Sequence, residues 1–314
     1  MLSIRRFVLG RDEADWLRVW NVVYGVRWDV APMTLEQFRN MEKSPDFDFE
    51  GRFIADLDDK PAGIIHAHID KLREEKKGFV RVFAVAPEFR GQGIEEKLAE
   101  NALEELKNRG MKIAQCSADS EQEGIIHLWE SLGFKLIRKF SLMTRDLTEL
   151  QTGMGESMEI ELKPLRRDAE EDLKMLNGLS NECFKEHFNW RPSPLERTVY
   201  FVREDPFFKV QEWFFAVLKG EHVGYIGLGI DESYNDERNA KCGWVLDIGV
   251  LKPCRRTGIG TRLMLSGLNL LKARGMTTAM LAVDDWNVTK AMQLYEKVGF
   301  KVARKEMAYE RSIE

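Results

Sequence analysis

Two parts of the chain repeat one another at a nearly constant spacing. Arg109-Gly110-Met111 recurs as Arg274-Gly275-Met276, a shift of 165 residues, and Gly133-Phe134-Lys135 recurs as Gly299-Phe300-Lys301, a shift of 166. A constant offset between independent landmarks indicates two copies of one domain. We therefore predict two tandem domains, residues 1–150 and 158–314. The polar, glycine-bearing stretch Leu150–Ser157 is the predicted linker between them.

Length and charge set the class of protein. With 314 residues of which 44% are hydrophobic, the chain can build two cores of ordinary domain size. Its net charge of −5, from 47 basic and 52 acidic side chains that are well mixed, argues against a nucleic-acid-binding face. Neither a membrane span of about 20 apolar residues nor the apolar core of a signal peptide is evident. We expect a soluble cytoplasmic protein without a membrane or nucleic-acid partner.

The cysteines carry no metal or disulfide pattern. Cys116, Cys183, Cys242 and Cys254 are scattered, without CxxC pairs or a cluster of histidines around them. Neither a disulfide framework nor a zinc site is therefore indicated, and we predict no bound metal.

Each half predicts the same order of elements, which includes a strand, a glycine turn and a helix in succession. In the second half the apolar patterns predict a mixed α/β sheet with helices on both faces. The strands are expected at Glu159–Lys163, Trp213–Leu218, His222–Ile230, Val245–Val250 and Thr278–Val283 and after Phe300, and the helices at Ala169–Phe184, Leu263–Leu271 and Asn287–Val298.

A glycine turn, Arg255–Gly260, joins the strand that ends at Val250 to the next helix. Glycines allow the backbone to approach an anion, and the free N–H groups of a helix's first turn point at it. Such a turn predicts a phosphate site, although many similar turns only link a strand to a helix.

These residues resemble the signature of the GNAT superfamily of acetyl-CoA-dependent N-acetyltransferases. Its Arg/Gln-x-x-Gly-x-Gly/Ala motif is met by Arg255, Gly258 and Gly260. Its second motif, an Asn and then Ala-x-x-Leu-Tyr leading to Gly-Phe, is met by Asn287, Ala291, Leu294, Tyr295, Gly299 and Phe300. The tandem arrangement resembles the mycothiol synthase group of that superfamily.

The resemblance implies roles for particular residues. Acetyl-CoA would be the co-substrate, and Tyr295 would donate a proton to the departing thiolate, unless it is only an aromatic residue at the core edge. The residues that would hold acetyl-CoA are Ile248 and Val250 through their main chain, the turn and helix start formed by Arg255, Arg256, Thr257, Gly258, Ile259, Gly260 and Thr261, and Asn287.

The general base and the acceptor site are less sharply indicated. The family's strand glutamate aligns with Trp244, and the period of two places Asp247 on the opposite face of that strand. Asp247 either orients the amine or bonds a neighbouring loop. In the aromatic-rich segment that would wall the acceptor, Glu186, His187 and Trp190 are the candidates for acceptor contact, with simple packing as the alternative.

The first copy departs from the motif at two places. Glu95 stands where the second copy has Gly260, and Trp129 stands where it has Tyr295. The first domain is thus expected to be catalytically silent. The chain as a whole is expected to move an acetyl group from acetyl-CoA to a primary amine of a small molecule or peptide. The alternative is a silent CoA-responsive binding or scaffold protein.

Overall fold

The computed structural model describes residues 1–150 and 160–314, so the predicted linker beyond Leu150 lies outside the described residues. The chain forms two compact units, one of Met1–Lys139 with Glu306–Glu314 and one of Phe140–Lys305. Each unit combines a sheet with helices, which confirms the predicted mixed α/β class. Within these residues, every helix is too short or too polar to cross a bilayer.

The first half of the chain begins with a strand and two helices and then continues through a β-hairpin. Its elements are β1 (Leu2–Arg6), α1 (Glu13–Val23), α2 (Leu35–Met41), β2 (Arg52–Leu57), β3 (Lys60–Ile69), β4 (Lys77–Val85), α3 (Ile94–Asn108), β5 (Ile113–Asp119), α4 (Glu123–Ser131) and β6 (Lys135–Asp146).

The second half repeats this order and adds one short helix. Its elements are β7 (Ile160–Pro164), α5 (Glu170–Phe184), α6 (Leu195–Arg203), β8 (Val210–Leu218), β9 (Glu221–Ile230), α7 (Glu232–Arg238), β10 (Cys242–Val250), α8 (Ile259–Ala273), β11 (Thr278–Asp284), α9 (Ala291–Lys297) and β12 (Lys301–Ser312).

Each unit takes its last strand from the other half of the chain. In the first unit the strand order is β1-β2-β3-β4-β5-β12, and Glu306–Ser312 pairs antiparallel with β5. In the second unit the order is β7-β8-β9-β10-β11-β6, and Phe140–Asp146 pairs antiparallel with β11. The boundaries of the two compact units therefore differ from those of the two sequence repeats.

The second unit has an apolar core on each face of its sheet. Leu263, Met264 and Leu268 of α8 pack with Val245 and Tyr295 in one core. In the other, α5 and α6 cover the face that carries a cluster of aromatic side chains, Trp213, Phe215 and Tyr225.

The last helix is shorter than predicted, because it begins at Ala291 instead of Asn287. The Asn287 side-chain oxygen accepts bonds from the N–H and the hydroxyl of Thr289, both at 2.7 Å. Lys290 then takes a left-handed conformation with φ of 57°. This Asx turn competes with a helical start and delays it.

Candidate active site

The central parallel pair of strands in the second unit separates after three residues. Only Cys242–Trp244 of β10 pairs with Thr278–Met280 of β11. Beyond Trp244, one edge of β10 is no longer bonded to β11. A strand edge of this kind can accept an extended ligand through main-chain hydrogen bonds.

The ladder with β9 decides which main-chain groups face this open edge. The N–H of Leu251 donates to the carbonyl of Val223 at 2.9 Å. Because successive residues of an antiparallel strand alternate between the two sides, the main-chain groups of Val250 and Ile248 point away from β9. The two residues predicted to pair with the cofactor arm therefore direct their main chain into the opening.

The turn after β10 presents a row of main-chain donors. Gly258 precedes α8 with φ of 94°, and Arg256 is also left-handed with φ of 64°. Within the residues that the structure describes, the main-chain N–H groups of residues 256–261 have no hydrogen-bond partner. Together with the positive end of the helix dipole, they suit a phosphate group.

The arginine side chains of the turn are held by the protein itself. Arg255 donates to the carbonyls of Val250 at 3.0 Å and Cys183 at 2.9 Å and also to Glu186 at 3.2 Å. Arg256 donates to the carbonyl of Thr289 at 3.0 Å. These bonds stabilise the turn, and the main-chain N–H of Arg255 also donates within it, to the carbonyl of Lys252 at 3.3 Å, so the row of donors begins at Arg256.

The remaining predicted cofactor residues lie on the turn or in the first helical turn. The Thr257 hydroxyl donates to the carbonyl of Cys254 at 2.7 Å. Ile259 is buried in the core at 1% exposure, whereas Thr261 is partly exposed. A methyl group at Gly260 would lie 3.4 Å from Leu294, in ordinary contact. The site thus has room for Ala at this position, as the motif allows.

A β-bulge corrects the predicted orientation of Asp247. Trp244 lies opposite Gly229, whereas Asp247 lies opposite Gly227, because β10 carries one extra residue between Val245 and Asp247. Gly229 and Gly227 are two residues apart on β9 and share a face. Asp247 therefore lies on the same face as Trp244, and the prediction of opposite faces was wrong, since a bulge shifts the alternation by one residue.

Tyr225 and Asp247 form a hydrogen-bonded pair on that face. The buried Tyr225 donates its hydroxyl proton to Oδ2 of Asp247 at 2.7 Å. A side chain at Gly249 would come within 2.6 Å of the Tyr225 ring, so glycine is needed for this approach. Burial raises the pKa of Asp247 to about 6, although the Tyr225 bond, the Ile248 N–H and Arg197 oppose the shift. A carboxyl group with a pKa near 6 can accept a proton at neutral pH.

Tyr295 points from α9 into the core beneath α8, on the face of the sheet opposite the Asp247–Tyr225 pair. It is 7% exposed, and its ring contacts Phe300 at 6.2 Å between centroids. No group in the described ranges bonds to its hydroxyl, which is therefore available to a ligand. Burial, and then the negative charge of Asp247, raise the pKa of Tyr295, so the phenol keeps its proton at neutral pH.

The three predicted acceptor residues lie in the loop after α5. Glu186 pairs with Lys252 at 2.7 Å as well as with Arg255, so its carboxylate is bound to the glycine turn. The His187 ring packs on Phe184 at 4.4 Å, and burial followed by the charge of Arg255 lowers its pKa. Trp190 is partly exposed, and its main-chain N–H donates to His187 at 3.2 Å.

Sequence reasoning missed Tyr225, whose role depends on a register that the pattern does not reveal. The same register shows what the first unit has in its place. β4 carries its bulge at Arg81, and Val82 and Ile64 hold the positions of Asp247 and Tyr225. The first unit therefore lacks both members of the pair, in addition to having Trp129 in place of Tyr295.

A polar cluster in the first unit has the residue types of a metal site. Ligating atoms of Asp48, His66 and His68 lie within 4.8 Å of one another. Both carboxylate oxygens of Asp48 accept bonds from Arg109 at 2.9 Å, and His66 bonds to the Asp48 carbonyl at 2.9 Å. Because the carboxylate is already paired with a guanidinium, we interpret the cluster as a buried network that anchors the Asp48 loop to β3.

Known structures share the fold over the full length. A tandem GNAT protein from the clavulanic acid biosynthesis pathway aligns with a TM-score of 0.76 at 13% identity, covering 100% of this chain and 99% of that one. A GCN5-related N-acetyltransferase from Sphaerobacter thermophilus aligns with a TM-score of 0.73 at 20% identity, covering 100% and 96%. At these identities the likeness concerns the fold alone.

Curated relatives are similar in sequence over part or most of the chain. A mycothiol acetyltransferase from Thermomonospora curvata is 33% identical over 133 residues, which is 42% of this chain and 44% of that relative. The chain thus spans less than half the length of that relative. A mycothiol acetyltransferase from Acidothermus cellulolyticus is 26% identical over 263 residues, 81% of this chain and 77% of that relative.

A family profile matches both halves. The Acetyltransferase (GNAT) family matches residues 14–134 and again 173–300, so the two matches together include most of the chain. The chain therefore belongs to the GNAT acetyltransferase family and contains two copies of its domain.

Proposed function

We propose that the second unit is an N-acetyltransferase that moves an acetyl group from acetyl-CoA to a primary amine of a small molecule or peptide. The observation that carries the proposal is the open edge of β10 between the donor row of the glycine turn and the Asp247–Tyr225 pair. The similarity to mycothiol acetyltransferases supports a small-molecule acceptor. We place catalysis in residues 158–314 and assign residues 1–150 no catalytic role.

The residues of the open edge fit acetyl-CoA, whose thioester supplies the activated acetyl group when bound. The N–H groups of residues 256–261 would bind the pyrophosphate, while the main chain of Ile248 and Val250 would pair with the arm. Asn287, which is partly buried after β11, would contact the same arm. These contacts would hold the reacting carbonyl near the bulge of β10.

Asp247 and Tyr295 then provide the proton transfers. Asp247 is ionised above pH 6 and accepts the proton that the amine must lose. The raised pKa of Tyr295 keeps its phenol protonated at neutral pH. As the C–N bond forms and the C–S bond breaks, this hydroxyl would donate its proton to the leaving sulfur, and solvent would restore the protonation states of Tyr295 and Asp247 after product release. Glu186, His187 and Trp190 remain the proposed wall of the acceptor site.

A thiol-release assay with acetyl-CoA and a panel of amines tests the proposal. We expect amine-dependent release of CoA and an acetylated amine detectable by mass spectrometry. The scaffold alternative predicts CoA binding without either product. Asp247→Asn and Tyr295→Phe should both reduce transfer, whereas Asp168→Asn, at an exposed position, should not.

A further inference from the structure

The first unit contains the same strand separation as the second. Only Lys77–Phe79 of β4 pairs with Ile113–Gln115 of β5. The glycine turn is also equivalent, because Arg90 donates to the carbonyl of Val85 at 3.2 Å just as Arg255 donates to Val250 at 3.0 Å. Whatever distinguishes the two units as cofactor sites must therefore lie beyond the strand separation and the turn.

The open edge of β4 is bonded to a tyrosine side chain. The hydroxyl of Tyr24 donates to the carbonyl of Phe83 at 2.7 Å and accepts from the N–H of the same residue at 3.3 Å. Phe83 lies two residues before Val85, as Ile248 lies two residues before Val250, so these two positions correspond. The hydroxyl thus bonds the main-chain groups to which an amide of an extended ligand would bind.

The counterpart of Tyr24 in the second unit lacks a hydroxyl. Asn21 exchanges two hydrogen bonds with the main chain of Met33, and Asn181 does so with Ser193, twelve residues on in each case. Tyr24 and Phe184 each follow their asparagine by three residues. Phe184 packs instead on the ring of His187 at 4.4 Å.

A second aromatic side chain, Trp129, also lies beside the open edge of β4 in the first unit. Trp129 is 0% exposed, and its ring lies 5.1 Å from that of Phe83. The first turn of α3 carries Glu95 and Glu96, which repel a phosphate. Tyr24, Trp129 and the two glutamates therefore each oppose binding of acetyl-CoA, at three different places of the first unit.

We infer that Tyr24 and its counterpart Phe184 determine which of the two units takes up acetyl-CoA. In the first unit the Tyr24 hydroxyl acts as a built-in occupant of the β4 edge, whereas Phe184 leaves the β10 edge to the ligand. The inference rests on the proposed function, because it takes acetyl-CoA as the ligand of the second unit.

Calorimetric titration of the full chain with acetyl-CoA tests the inference without an activity assay. Wild-type protein should bind one equivalent. Absence of binding would overturn the proposed function and the inference with it, whereas two equivalents would overturn the inference alone.

Exchanging the two side chains provides matched variants. Phe184→Tyr should weaken binding by about tenfold or more, because the new hydroxyl competes for the Ile248 main chain. Tyr24→Phe should leave the kinetic constants of the second unit unchanged. An unaltered affinity in Phe184→Tyr would contradict the inference.

A triple variant tests directly whether the first unit can be made to bind acetyl-CoA. Tyr24→Phe, Glu95→Gly and Trp129→Tyr together give the first unit the relevant side chains of the second. A folded triple variant, verified by circular dichroism, should bind a second equivalent. If it still binds only one, the inference is wrong.

Discussion

The hydroxyl of Tyr225 donates a hydrogen bond of 2.7 Å to Oδ2 of Asp247 across the pair of strands β9 and β10. The two side chains share a face because a bulge follows Val245. This bond orients the carboxylate and favours its charged form, while burial favours the neutral form. The pKa of Asp247 is therefore about 6, three residues beyond the point where β10 separates from β11.

Replacement of Asp247 should abolish the rise of kcat/KM with pH that its ionisation causes. Since the pKa of Asp247 is raised to about 6 and only its ionised form is a base, kcat/KM of wild-type protein should rise through about pH 6. Asp247→Asn should be slower by about 10² or more and lack this limb. Steady-state kinetics between pH 5 and 8 measure both effects. A retained limb in the variant would assign the base elsewhere.

Removal of the Tyr225 hydroxyl should move the same limb to higher pH. The bond to Asp247 lowers the pKa of the carboxyl, so Tyr225→Phe should raise it above the wild-type value. Tyr309→Phe removes a buried hydroxyl from the first unit and serves as the matched control. The pH profile of kcat/KM measures the shift. Equal profiles in the two variants would mean that Tyr225 has only a packing role.

The same carboxyl predicts how stability depends on pH. Its folded pKa of about 6 exceeds the usual 3.8, so between these values the folded chain binds more protons than the unfolded chain. Stability should therefore fall as pH rises from about 4 to 6, by up to about 3 kcal/mol for this group. Urea unfolding should show a smaller fall for Asp247→Asn. Asp168→Asn, at an exposed site, should behave as wild type.

Tyr295→Phe should reduce turnover far more than acetyl-CoA affinity. The hydroxyl has no protein partner in the described ranges, so its loss leaves no buried group unsatisfied. Loss of a general acid typically costs about 10²-fold to 10⁴-fold in rate. Turnover and the calorimetric Kd for acetyl-CoA distinguish the two effects. A comparable loss in both would indicate that the hydroxyl mainly binds the co-substrate.

Substitutions at the start of α3 and of α8 should differ in effect, because only those in α8 should alter acetyl-CoA binding. Gly260→Glu places a carboxylate at the proposed phosphate site and should reduce acetyl-CoA affinity by at least about tenfold. Gly260→Ala should bind almost as wild type, because the added methyl group has room. Glu95→Ala should leave activity largely unchanged. A large loss of activity in Glu95→Ala would contradict a silent first unit.

Much of the fold followed from local pattern. The repeat at 165 residues, the two glycine turns and the apolar periods predicted two copies of one mixed α/β domain, and the structure confirms that class. The turn was predictable because its residues are contiguous and glycine alone fits Gly258 without strain. The position of Tyr295 was predictable for a similar reason, since its motif lies within one continuous stretch of the chain, residues 287–300.

Other features required contacts between distant parts of the chain. The exchange of β6 and β12 between the units depends on strand pairing, which apolar alternation alone does not specify. The face of Asp247 depends on an inserted residue that leaves the alternation of the sequence unchanged. Alternation therefore predicted a strand here but the wrong face.

The sequence by itself determined that the chain contains two GNAT domains and where the second carries its glycine turn. Tertiary structure alone decided that Tyr225 contacts Asp247 and that Tyr24 bonds the open edge of β4. The physical reason is that both are side-chain hydrogen bonds to groups 22 and 59 residues away. Bonds at that separation arise only when strand register and helix packing bring the groups together.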